Sequence, residues 1–119
     1  MTRAALAIVA AAVVVVPVAH AHTWCGAQIS SARWISLPEG KRLIVRPTGC
    51  GRRTALRSPK PAFAEAIRRG GRGAPDYWSM YWQFLCHAQY ANSKPTWDLE
   101  AWRPDVGLAG TIAAGCNPE

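Results

Sequence analysis

Cys86 and His87 stand side by side, and Asp98 and Glu100 follow within thirteen residues. A histidine beside a carboxylate is the usual general-base arrangement: the carboxylate orients one ring nitrogen and the other activates water. His87 with Asp98 or Glu100 is therefore the catalytic set this chain offers, and its chemistry would be hydrolysis; the favoured alternative is that His87, Gln83 and Glu100 form a satisfied structural polar cluster. Trp97, Trp102 and Arg103 share the same stretch. Two indoles and a guanidinium suit a ligand clamp, with rings to stack and a cation to pair. Cys86 and His87 do not make a thiol–base pair, because helix neighbours project about 100° apart. Metal-binding spacing is lacking: neither His22-x-x-Cys25 nor Cys86-His87 repeats as zinc sites do. If a leader is cut after Ala21, the new N-terminal amine and imidazole of His22 could chelate copper with His87. No cofactor is indicated.

Those residues need a scaffold, and four cysteines say how it is held. Cys25, Cys50, Cys86 and Cys116 follow an N-terminal segment with a positive residue, Arg3, and an apolar run from Ala4 to Val16. The run is short for a membrane span, and Ala19-His20-Ala21 supplies small residues for a leader peptidase. The expectation is a secretory signal peptide over residues 1–21 and one secreted domain over residues 22–119, with no transmembrane segment in the mature chain. An even cysteine count in a short exported chain reads as a disulfide framework. Each bridge would contribute about 3 kcal/mol in the chain-entropy model.

Residues 32–36 and 42–46 are rich in β-formers and flank Leu37-Pro38-Glu39-Gly40, a turn sequence. A hairpin there brings Cys25 and Cys50 together. Residues 51–57 read as a basic connector. Ser58-Pro59 starts a helix that buries Phe63, Ala66 and Ile67 and stops at Gly70-Gly71. Asp76 caps a second helix running to about Tyr90, apolar on two faces, with Gln83 and His87 as a narrow polar stripe. Residues 92–104 read as an irregular segment. Asp105 caps a short last helix that points Leu108 and Ile112 inward and leads to Cys116. Four cysteines allow three pairings; the hairpin favours Cys25–Cys50, with Cys86–Cys116 pinning the last helix to the central one. The expected fold is α+β: a disulfide-stapled single domain with a β-hairpin, open to a third strand, packed on about three helices.

Three motifs appear in order: Gln83-x-x-Cys86-His87, then Trp97-x-Leu99-Glu100-x-x-Arg103-Pro104, then Cys116-Asn117-Pro118. With them the chain resembles a family of secreted proteins from high-GC Gram-positive bacteria, known as domain of unknown function 2599. The resemblance implies export and a Cys86–Cys116 bridge. It brings no activity and no catalytic residues.

Charge completes the reading. The net charge is +7. Residues 33–72 hold eleven Lys/Arg against Glu39 and Glu65, while residues 73–119 balance at −3. Such a split steers a molecule toward anionic surfaces. Nucleic acid is excluded as a partner, because an exported chain without a recognised binding motif is a poor candidate. The six tryptophans are expected mainly to fill a small core. The sequence thus favours a non-enzymatic secreted or envelope-associated binding protein, contacting anionic cell-envelope polymer or a partner protein. The alternative is a small secreted hydrolase built on His87.

Overall fold

The computed structural model describes residues 1–15, 25–71 and 76–119. Residues 1–15 are exposed and form no helix or strand. The expected cleavage point after Ala21, His22, and Arg72-Gly73 of the glycine-rich link lie outside the described residues.

The hairpin forms, longer than the sequence suggests. β1 (Ile29–Leu37) and β2 (Gly40–Pro47) pair antiparallel, with Leu37 opposite Gly40 at the turn and Trp34 opposite Leu43. β3 (Trp97–Glu100) then pairs antiparallel with the far side of β2, in the sheet order β1-β2-β3. This corrects the expectation of an irregular segment over residues 92–104. Trp97-Asp98-Leu99-Glu100 does alternate apolar and polar, but four residues are too short a run to stand out: Trp97 and Leu99 face Val45 and Leu43 across the sheet and all four are sealed in the core. Arg42, Asp98 and Glu100 fall on the opposite parity.

The helices number four among the described residues. α1 (Gly49–Thr54) replaces the expected basic connector. Thr48 caps it, its hydroxyl accepting from the amide of Gly51 at 2.9 Å. A β-carbon on Gly51 would meet the carbonyl oxygen of Gln28 at 1.8 Å, so only glycine lets α1 sit against the start of β1. α2 (Pro59–Gly70) begins on a proline and ends with Gly71 in the left-handed conformation. Its Phe63 and Ala66 are buried, and Ile67 is partly buried. α3 (Tyr77–Tyr90) is capped by Asp76, whose carboxylate accepts from the amide of Ser79 at 3.3 Å. α4 (Gly107–Ala113) starts two residues after Asp105, which accepts from its first amide, Gly107 N, at 3.0 Å. Thr111 is its buried residue, whereas Leu108 and Ile112 are only half-buried.

The disulfides connect these elements as expected: Cys25 to Cys50 and Cys86 to Cys116, with Cα–Cα distances of 5.6 and 5.5 Å. Phe63, Met80, Phe84, Trp97, Leu99, Leu43 and Ile29 form the centre of one core. The sheet is tied at both edges by helix side chains. Glu65 of α2 accepts from the amides of Gln28 and Ile29 at the β1 edge, and Gln83 of α3 does the corresponding work at β3.

α3 is not oriented as its sequence suggests. The polar stripe is inside: Gln83 is fully buried and His87 is 6% exposed. The helix instead opens its N-terminal aromatic end to solvent, with Tyr77 and Trp78 about half exposed. The tryptophans therefore do not all serve the core. Trp97 is sealed, Trp34, Trp82 and Trp102 are half-buried, and Trp78 is open.

Candidate functional site

Glu100 is the hub of the polar residues singled out by the sequence. Its backbone amide donates to Gln83 Oε1 at 2.7 Å, and Gln83 Nε2 donates to its carbonyl at 3.0 Å. A helix-borne amide thus pairs the β3 edge as a neighbouring strand would. Gln83 is itself held by Ser79, whose hydroxyl donates to the carbonyl of Arg103 at 2.6 Å. The Glu100 carboxylate, 6% exposed, accepts Arg103 Nη2 at 3.2 Å on one oxygen and Arg42 Nη2 at 3.3 Å on the other. Arg42 also approaches Asp98 at 3.7 Å. Arg103 sends Nη1 to the carbonyl of Pro118 at 3.0 Å. Arg103 thus pairs with Glu100, and Asp105 turns away to accept from the indole Nε1 of Trp82 at 2.8 Å.

Two hollows share Glu100. The first, about 440 Å³, is lined by Glu39, Arg42, Glu100, Trp102, Arg103 and Pro118 among others. Trp102 rests against the β1–β2 turn, where a β-carbon on Gly40 would stand 3.1 Å from its ring. The Arg103 guanidinium lies 5.7 Å from its ring centroid, within cation–π reach. Two of the expected ligand residues, Trp102 and Arg103, therefore do meet at one cleft. The third does not. Trp97 has no exposed surface; Phe84 packs edge-on against it at 5.3 Å and Arg52 lies 5.8 Å from its centroid on the ring face. As a ligand-stacking residue Trp97 is a correction: Leu43-Leu99 parity draws it into the core.

The second hollow, about 460 Å³, is lined by His87, Lys94, Thr96, Asp98, Glu100, Cys116 and Asn117 among others. The structure so brings His87, Asp98 and Glu100 to one cavity, but not into the expected dyad. His87 Nδ1 lies 2.7 Å from the backbone carbonyl of Gln83, one turn back. A carbonyl only accepts, so Nδ1 carries the proton and Nε2 carries the lone pair. Neither carboxylate orients the ring: Glu100 is held by two arginines and Asp98 leans to Arg42. Burial lowers the His87 pKa below its ordinary value. The Gln83 hydrogen bond opposes that shift, Lys94 adds to it, and Asp98 and Glu100 oppose it. The imidazole is neutral at pH 7.

Cysteine chemistry has no reagent here, since no free cysteine stands among the described residues. Nor does any group of three His, Cys, Asp or Glu side chains gather to hold a metal among them. No described helix is long and apolar enough to cross a membrane. Sequence reasoning missed Arg42, whereas Gln83 was in view as a partner of His87 and Glu100 in a structural polar cluster. Arg42 enters only through its register opposite Glu100, and Gln83 carried one signal, its place four residues before His87 on a single helical stripe.

The ordered motifs that this geometry unites, Gln83 to His87, Trp97 to Pro104 and Cys116 to Pro118, agree with a family-model match over residues 29–119. The chain belongs to the family described as "Protein of unknown function (DUF2599)". The chain is 39% identical over 95 residues to "Uncharacterized protein Rv0477" of Mycobacterium tuberculosis and to "Uncharacterized protein Mb0487" of Mycobacterium bovis, covering 73% of this chain and 61% of each relative. It is 44% identical over 43 residues to "Uncharacterized protein ML2452" of Mycobacterium leprae, covering 33% of this chain and 35% of the relative. The chain thus spans about three-fifths of the length of the first two relatives. No solved structure matches it.

Proposed function

We propose that this DUF2599 protein is an exported binding module whose ligand is an acidic saccharide of the cell envelope. One observation carries the reading. A buried carboxylate, Glu100, holds the guanidinium groups of Arg42 and Arg103 side by side at a cleft walled by Trp102. The donors open to a ligand are the Nη hydrogens that Glu100, Asp98 and the Pro118 carbonyl leave over, chiefly on the more exposed Arg42, and an indole beside them offers a surface to a sugar ring. Two cross-links in the described chain and the apolar run before them support export. Pre-set arginines favour recognition over chemistry, because the donors are fixed before a ligand arrives.

The test is a calorimetric titration with uronic-acid and phosphorylated oligosaccharides against their neutral counterparts. The acidic series should bind, and Trp102→Ala and Arg42→Ala should each weaken it at least tenfold. Weak binding that is equal in all three proteins and disappears with salt would reduce the interaction to non-specific attraction.

A hydrolase reading rests on one feature, the Nε2 lone pair of a neutral His87 at the second hollow. Without an orienting carboxylate its base would depend on the Gln83 carbonyl alone. Ester turnover lost in His87→Gln at unchanged melting temperature would establish it.

A further inference from the structure

The geometry points to the aromatic shelf at the N-terminal end of α3 as a docking surface for an anionic lipid bilayer. Tyr77 and Trp78 are 45% and 50% exposed, side by side in the chain. Their rings contact at 5.2 Å. Trp78 stacks on Trp82 at 5.4 Å, and Trp82 is fixed by its bond to Asp105. Val106, next in the chain, is 44% exposed. The exposed Tyr77, Trp78 and Val106 thus converge on one end of the domain, an unusual concentration for a small soluble protein.

The ring geometry says what kind of partner fits. Tyr77 and Trp78 stand at 87° to one another. They share no flat face, so a chain of sugar rings could stack on one but not along both. A bilayer interface makes no such demand. It takes amphipathic rings, apolar bodies with a polar rim, and tyrosine and tryptophan are the residues enriched at that depth.

Charge says which bilayer. Phe63 of α2 contacts both Tyr77 and Tyr81 at 5.2 Å, which brings α2 against the base of the shelf. Lys60, one turn before Phe63 on the same face of α2, is exposed, whereas Arg68 lies round the helix and pairs with Glu65 at 3.8 Å; residues 33–72 carry the positive balance of the chain. Basic side chains beside an interfacial anchor attract anionic headgroups. The carboxylates at the shelf are engaged within the fold: Asp76 caps α3, and Asp105 holds Gly107 and Trp82.

The test is co-sedimentation with vesicles of phosphatidylglycerol and phosphatidylcholine mixed, against phosphatidylcholine alone, using protein purified in the form the cell makes. Binding to the anionic vesicles should be at least tenfold tighter. Tyr77→Ser with Trp78→Ser should weaken it at least tenfold, and Lys60→Glu should reduce the preference for anionic lipid. Trp102→Ala should bind vesicles like the parent, which separates this surface from the saccharide cleft. Unchanged binding in the Tyr77/Trp78 variant would overturn the proposal, as would no binding by the parent. Loss of vesicle binding in Trp102→Ala would move the membrane contact to the cleft. A lipid-free dimer dissolved by Tyr77→Ser with Trp78→Ser would give the shelf to a second copy instead.

Discussion

Gln83 closes the open edge of the sheet by pairing with both backbone groups of Glu100, giving one hydrogen bond and taking one. All of these atoms are buried, so neither side can turn to water instead. The same bonds fix the Glu100 backbone, and with it the carboxylate that sets Arg42 and Arg103. An interior amide on a helix therefore positions a cleft at the surface.

Gln83→Leu should consequently be among the more damaging changes in the chain. It orphans a buried amide and a buried carbonyl, each at a cost of roughly 1–3 kcal/mol. We expect about 3 kcal/mol lost in chemical denaturation and weaker ligand binding in the Arg42/Arg103 cleft. Gln83→Glu keeps the acceptor but loses the donor and buries a carboxylate against the Glu100 carbonyl, so near neutral pH it should cost at least as much as Gln83→Leu. A Gln83→Leu protein as stable as the parent would show that the clamp contributes nothing.

The hairpin, α2 and α3 were legible because each carries its own punctuation: Pro38-Glu39-Gly40, Ser58-Pro59 and Gly71, Asp76. β3 was not. Its four residues alternate apolar and polar as a strand should, but the run is too short to stand out and acquires a partner only when β2 is in place. α1 was hidden for a related reason, since Gly49 and Gly51 read as a connector until the carbonyl of Gln28 explains why glycine stands there. For the site, Trp102, Arg103 and Glu100 were visible as residue types. Arg42 was not, because a cross-strand register cannot be read from spacing. Burial inverted the reading of α3: two hydrogen-bonding side chains satisfied by the β3 edge and a helical carbonyl sit more comfortably inside than an apolar stripe would suggest.

His87 gives the chain a pH dependence with a definite sign. Its folded pKa lies below the unfolded value of about 6.5, so below that pH the unfolded state binds the extra proton. Stability should be level from pH 8 to about 7, then fall as pH drops below 6.5, and level off once the folded imidazole also titrates. His87→Gln should flatten that step. Urea midpoints between pH 8 and 5 measure it, and a parent curve that matches His87→Gln would assign the acid sensitivity elsewhere.

The two bridges close segments of 25 and 30 residues, and loops of this size each stabilise by about 3 kcal/mol in the chain-entropy model. Their structural consequences differ. Removing Cys25–Cys50 by paired serines should loosen the approach to β1 and α1. Removing Cys86–Cys116 should free α4 and the Cys116 to Pro118 turn, which supplies the carbonyl that Arg103 binds. Both variants should melt lower, but only the second should weaken saccharide binding. Peptide mapping of the unreduced parent should recover both pairs and no alkylated thiol.

Trp97 and Trp102, six residues apart inclusive, divide between the sealed core and the wall of the first hollow. Trp97→Ala opens a cavity against Phe84 and takes away the ring beneath Arg52, a change of the kind that costs about 3–5 kcal/mol. Trp102 is half-buried, with Gly40 on its ring and the cleft beside it, so Trp102→Ala should cost about 1 kcal/mol and act mainly on ligand affinity. Denaturation and titration of the same two proteins give four numbers. A Trp97→Ala protein that folds normally yet loses the ligand would place Trp97 at the site despite its burial. A Trp102→Ala protein that keeps full affinity would move recognition out of the first hollow and leave the second, beside His87, to account for any binding.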